Sequence, residues 1–186
     1  LKSNIPTKDD QWCASEFRRL LRDSISIRLP VNLRVGTFLS GGLDSTSIAF
    51  LVDEILLSRQ SPETKCAKSQ KVFSAVYKET TEQGDERSYI KEVEHALRTE
   101  VNYVFPSVEG QWNNIKRFVF DIEEPVAVFN YYVFWCLFKA ARQKVRIVFS
   151  GQGNDALLGG QTEHSLTYLK ELWKRKKIGK LLNELV

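Results

Sequence analysis

Two spacings of apolar residues alternate along the chain. Val35, Gly36, Thr37, Phe38 and Leu39 form a short run with β-branched and aromatic members, which predicts a buried strand over residues 34–39. Beyond Asp44 the apolar positions fall at helical intervals, through Ile48, Ala49, Leu51 and Val52, predicting a helix to about Leu57. The pair recurs. Further strands are predicted over 72–77, 101–105 and 145–149, and helices from Asp85-Glu86 to Leu97 and over 108–120, 131–142 and 162–177. Ahead of them all, Phe17, Leu20, Leu21, Ser24 and Ile25 mark a helix from Trp12 to Leu29, which Pro30 ends. Residues 1–10 are a polar lead-in, and 58–71 (with Pro62), 78–84, 121–125 and 150–160 read as loops. The fold class expected is therefore α/β, a parallel sheet with helices on both faces and right-handed βαβ crossovers. The unbroken apolar run at 145–149 suits a strand buried on both sides.

Composition narrows what such a domain does. At 186 residues the chain has room for one α/β domain with a sizeable core. A net charge of +4 with scattered positives implies no nucleic-acid partner, and the basic residues 174–177 complement a helix C-terminus. No apolar run approaches the roughly 20 residues of a bilayer span, the longest, 126–138, being broken by Asn130; no membrane partner is expected. No signal peptide opens the chain, and Cys13, Cys66 and Cys136 show no CxxC or metal-ligand spacing. Reduced thiols and a cytoplasmic location are the matching expectation. His95 and His164 stand alone and suggest no zinc site. With Leu1 first and no methionine, the chain reads as a piece of a longer polypeptide.

The first strand and helix enclose Ser40-Gly41-Gly42-Leu43-Asp44-Ser45. A glycine turn between a strand and a helix N-terminus offers outward N–H groups and a positive dipole end to an anion. The spacing from Gly36 is G-x-x-x-x-G, but Gly42 occupies the position where a Walker loop needs lysine. After the fourth strand comes a second glycine loop, Ser150-Gly151-Gln152-Gly153-Asn154-Asp155-Ala156-Leu157-Leu158-Gly159-Gly160. Its G-x-G-x-x-A would fit a dinucleotide fingerprint, but the region about 20 residues on is helical in pattern rather than an acid-ended strand. Both loops follow strands, so both are expected at the carboxyl edge of the sheet, facing one cleft.

The first loop resembles the SGGxDS "PP-loop" of N-type ATP pyrophosphatases, which cleave ATP between its α- and β-phosphates. Together with the second loop it resembles the asparagine synthetase family, whose second segment reads SGxGxDExxGG. Phe73-Ser74-Ala75-Val76, Asp85-Glu86 and Glu123-Glu124-Pro125 resemble further segments of that family, so the likeness covers most of the chain from Trp12 to Gly160.

The resemblance implies an adenine nucleotide α-hydrolase-like fold and an ATP-dependent carbon–nitrogen ligase of the glutamine-hydrolysing asparagine synthase type. A carboxylate such as that of aspartate attacks the α-phosphorus of ATP, pyrophosphate leaves, and ammonia drawn from glutamine displaces AMP. By position, Leu39, Val76, Ser150 and Gly151 would contact adenosine, and Ser40, Gly41, Gly42 and Ser45 would hold pyrophosphate. Asp44 and Asp155 would bind Mg²⁺, and Asp44, Gln152 and Asp155 form the catalytic set. Glu123 and Glu124 are candidates to place the amine or the metal. The domains implied are a helical lead-in at 1–30 and a PP-loop synthetase domain at 31–186, incomplete at its C-terminus and without the glutaminase domain of the full-length protein. A homodimer is left open.

Two positions depart from the pattern. Gln152 stands where asparagine synthetases carry an acid, and Ala156 where they carry Glu. Both weaken amide synthesis on aspartate and leave nucleotide binding intact; with the missing halves, they imply that the isolated fragment binds ATP without turnover. The alternatives are a paralogue adenylating another acid, as β-lactam synthetases and lasso-peptide cyclases do, and an eroded nucleotide-binding module.

Overall fold

A computed structural model describes residues 9–29, 33–59, 69–77, 87–97, 99–126, 128–160 and 162–184. The chain divides into two compact units after Ser150. The loops expected at 78–84 and most of 58–71, with Pro30, Pro62, Cys66 and Asp85-Glu86, lie outside the described residues.

The first unit holds a four-stranded parallel sheet: β1 (Val35–Phe38), β2 (Lys71–Ala75), β3 (Val101–Val104) and β4 (Ile147–Phe149), in the order β3-β2-β1-β4. Period-two alternation sends successive side chains of β1 to opposite faces. On one face Val35 and Leu39 join Val72, Val76 and Val101 beneath α1 (Asp10–Ser26), α2 (Leu43–Ser58) and α3 (Arg87–Leu97), through residues such as Ile48, Val52 and Ile90. On the other face Phe38 and Phe73 pack against α6 (Phe129–Ala141) through Val133, Leu137 and Ala141. Both faces are thus covered by helices, as the alternating pattern requires.

The order of the strands places the useful edge. Crossovers through α2 and α3 step from β1 to β2 to β3, and the chain then returns across the other face through α6 to lay β4 beside β1. Thr37 pairs with Phe149 across that junction, so the loops after β1 and β4 leave from adjacent strand ends. In open α/β sheets this switch in direction opens the crevice where ligands bind.

A buried polar link holds α2 to the sheet behind the β1 loop. The Thr37 hydroxyl donates to Gln70 Oε1 (2.6 Å), and Gln70 Nε2 donates to the Ala49 carbonyl (2.7 Å), all three residues being buried. At the far end of α2, Arg59 donates to the carbonyls of Leu29 and Ser26, tying down the exit of α1.

Four expectations need correction. The helix expected over 108–120 is two, α4 (Val108–Asn113) and α5 (Ile115–Ile122). Asn114 leaves helical geometry and turns its side-chain amide back to the Gly110 carbonyl (2.8 Å), a local bond that competes with the helical ladder. Asp121 and Ile122 therefore belong to α5, and the acidic loop begins at Glu123, which caps α5 at φ 65°. β4 is an edge strand, half-buried rather than enclosed on both sides. The second glycine loop contains a short helix, α7 (Asn154–Leu158).

The second unit carries α7, α8 (Thr162–Lys174) and α9 (Ile178–Asn183), the last not expected from sequence. Lys176 at φ 55° turns the chain out of α8, while the Lys177 N–H returns to the carbonyl of the buried Leu172. Among the described residues no helix is long and apolar enough to cross a membrane.

Candidate active site

The loop after β1 is shaped by its own hydroxyls. Leu39 extends the strand pairing, its N–H donating to the Phe73 carbonyl (2.9 Å). Gly41 then takes φ 87°, a turn that side-chain-bearing residues rarely make. The buried Ser45 Oγ accepts the Ser40 N–H (3.1 Å), lies 3.0 Å from Ser40 Oγ and donates to the Gly42 carbonyl (3.2 Å). Ser40 Oγ in turn accepts the Gly42 N–H (3.3 Å). A single buried hydroxyl thus stitches both ends of the loop.

The helix behind it is left open for an anion. Gly42 is the N-cap of α2 and offers no side-chain cap, so the first-turn N–H groups, which have no partner inside the helix, are left for a ligand. Asp44 sits in that first turn, half-exposed, and its carboxylate has no ion-pair or hydrogen-bond partner among the described residues.

The other sequence-derived residues are distributed over several elements and both units. Leu39 and Val76 end β1 and β2, and their side chains are buried in the core under α2 and α3. The Val76 N–H is spent on the Val104 carbonyl (2.9 Å). Ser150 leaves the end of β4 in the first unit. In the second unit, Gly153 takes φ 89° as the N-cap of α7, and Asp155 is exposed in the first turn, its carboxylate likewise without a polar partner among the described residues. Gln152 is exposed beside it. Glu123 and Glu124 are exposed on the loop after α5.

An aromatic pair at the same sheet edge escaped the sequence reading. Tyr77 follows Val76 at the end of β2 and meets Phe129 of α6, with ring centroids 6.3 Å apart. Arg87, opening α3, donates to the Tyr77 carbonyl. The signal was there: an aromatic directly after a strand residue assigned to adenosine, and a second aromatic in the apolar stretch 126–138. The remaining perturbed groups are structural. Trp135 donates to Asp121 (2.9 Å), and this bond, helped by the Arg117 guanidinium beside it, holds the Asp121 carboxyl below the usual aspartate value. Burial pushes the Tyr132 phenol up to about 12 and raises the thiol of Cys136, which favours its protonated form.

Mg²⁺ commonly takes one or two protein carboxylates and fills its octahedron with phosphate oxygens and water. Among the described residues no three His, Cys, Asp or Glu side chains form a complete metal cage. Asp44 in the first unit and Asp155 in the second each offer one carboxylate without a polar partner among the described residues, the donor type that Mg²⁺ takes.

Comparison with known proteins bears on the family. A family model described as asparagine synthase matches residues 16–185. Asparagine synthetase [glutamine-hydrolyzing] 1 of Bacillus subtilis is 29% identical over 157 residues, covering 84% of this chain and 22% of its own. Amidase chyE of Penicillium rubens is 24% identical over 174 residues, covering 91% and 26%. Among solved structures, an NH3-dependent NAD synthetase from Campylobacter jejuni superposes with a TM-score of 0.45 at 16% identity, covering 83% of this chain and 62% of that one. The chain spans about a quarter of the length of the curated relatives it matches. With both glycine loops inside the matched span, the chain belongs to the asparagine synthase family.

Proposed function

We propose that this chain is the ATP-using part of an amidotransferase that adenylates a carboxylate and releases pyrophosphate. The single observation that carries the reading is the uncapped N-terminus of α2, presented by the SGGLDS loop at the switch between β1 and β4. In this reading the carboxylate oxygen of an acid such as aspartate attacks the α-phosphorus, the α–β bridge breaks, and pyrophosphate departs with the electron pair. Ammonia released from glutamine by a glutaminase domain then attacks the acyl carbon. AMP leaves, one proton is lost, and an amide remains.

The chain's own groups serve the first half. N–H groups of the α2 first turn and the Ser40 hydroxyl stabilise the charge that builds on the leaving phosphates, since preorganised donors favour the transition state over the ground state. Gly41 and Gly42 let the backbone approach, and Ser45 holds the loop in shape. Leu39, Val76, Ser150 and Gly151 are the positions assigned to the adenosine, Leu39 and Val76 through their main chain because their side chains are buried in the core. Asp44, and Asp155 in the second unit, are the carboxylates assigned to Mg²⁺, which when bound supplies positive charge to the phosphates. The domain division proposed is a helical lead-in at 1–30 and a PP-loop domain from 31 onward.

A second reading has its own support. Gln152 cannot accept the proton that ammonia loses, and Ala156 removes a second acid. One relative, 24% identical, bears the name amidase rather than asparagine synthetase. Both favour a paralogue acting on another acid. The full-length protein, given ATP, Mg²⁺ and a panel of carboxylic acids, should exchange labelled pyrophosphate into ATP with one of them. Exchange with aspartate selects the asparagine reading, exchange with another acid selects the paralogue, and ATP hydrolysis to ADP and phosphate would sink both.

A further inference from the structure

The two glycines that end α7 differ in what they permit. Gly159 takes φ 82° and closes the helix, its N–H and that of Gly160 (2.9 Å) both returning to the Asp155 carbonyl. This turn lays Gly160 against the side chain of Asp155. A β-carbon added at Gly160 would stand 2.7 Å from Asp155 Oδ1, 3.2 Å from its Cα and 3.3 Å from its Cβ. A β-carbon at Gly159 would meet only His164 Cβ, at 3.8 Å. The volume that a side chain at 160 would fill is therefore taken up by the carboxylate of Asp155.

We propose that Gly160 is a positioning residue for Asp155: its bare Cα is the wall against which the carboxylate rests, and that wall sets the direction its oxygens face. The inference rests on the assignment of Asp155 to Mg²⁺. The Asp155 carboxylate lacks any polar partner among the described residues, so no hydrogen bond or ion pair with them orients it. The close approach of the Gly160 backbone therefore limits which staggered rotamers are open to this exposed carboxylate. A methyl at 160 must either open the turn or swing the carboxylate away, because real Cβ contacts essentially never fall below 3.0 Å.

The test compares Gly160→Ala, Asp155→Asn and the double variant in the full-length protein. Calorimetry gives ATP affinity with Mg²⁺ and, separately, in EDTA. Outer residues that orient metal ligands typically change metal affinity by 10–100-fold, so Gly160→Ala should lower MgATP affinity about tenfold while leaving metal-free ATP affinity unchanged. The double variant should bind MgATP no worse than Asp155→Asn alone, since the wall has no function once the ligand is gone. Wild-type MgATP affinity in Gly160→Ala, beside a loss in Asp155→Asn, overturns the positioning role and leaves the metal assignment standing. Wild-type affinity in Asp155→Asn overturns the metal assignment and the inference with it. If Gly160→Ala melts early, adding Asp155→Ala should restore the melting temperature; no recovery would show that the carboxylate is not what the methyl strikes.

Discussion

Ser45 and Asp44 are neighbours in sequence with opposite duties. The hydroxyl of Ser45 is buried and fully engaged by Ser40 and Gly42, so it shapes the loop. The carboxylate of Asp44 has no partner among the described residues and sits beside the uncapped N–H groups of α2. Asn at that position would keep the helix start, because Asn and Asp favour first-turn and capping roles alike, while removing the charge a cation needs. Asp44→Asn should therefore retain the parent's melting temperature within a few degrees and lose most of the Mg²⁺-dependent part of its ATP affinity. Calorimetry with Mg²⁺ and with EDTA separates the two effects, and equal MgATP affinity in both proteins would remove Asp44 from the metal site.

Among the helices, α5 and α6 are joined by a charge-assisted contact that makes a pH prediction. Asp121 accepts from Trp135 Nε1 and pairs with Arg117 (2.8 Å), which lowers its folded pKa below the ordinary 3.8. A lowered carboxylate pKa means the contact is fully present above the unfolded value and is lost as pH falls through the folded one. Acid titration of tryptophan fluorescence should show a transition below pH ~4 that Asp121→Asn lacks. Identical profiles would show that the carboxylate does not govern Trp135. At this scale the sequence spoke unevenly. Strand and helix periods announced β1, α2 and α6 to within two residues, because their apolar positions are set by burial. The split at Asn114 depended on one side-chain bond that no periodicity carries, and the edge position of β4 depended on strand order, which three apolar residues do not encode.

For the whole molecule, the glycine turn at a helix start predicted an anion site before any coordinates, and the family resemblance made that the expectation of a nucleotide. What remained hidden was the division of labour inside each loop. That Ser45 turns inward, that Gly160 is filled by its neighbour's carboxylate and that Tyr77 meets Phe129 are consequences of three-dimensional packing. The central claim is that the first turn of α2 takes the phosphates of ATP. Its most direct test is a crystal structure of the full-length protein with Mg²⁺ and an ATP analogue whose α–β bridge is a methylene. The expected result places phosphate oxygens within hydrogen-bond distance of the N–H groups of residues 43–45, with the Ser40 hydroxyl turned from Ser45 toward them. A nucleotide bound away from this loop, with the Ser40–Ser45 contacts unchanged, would contradict it.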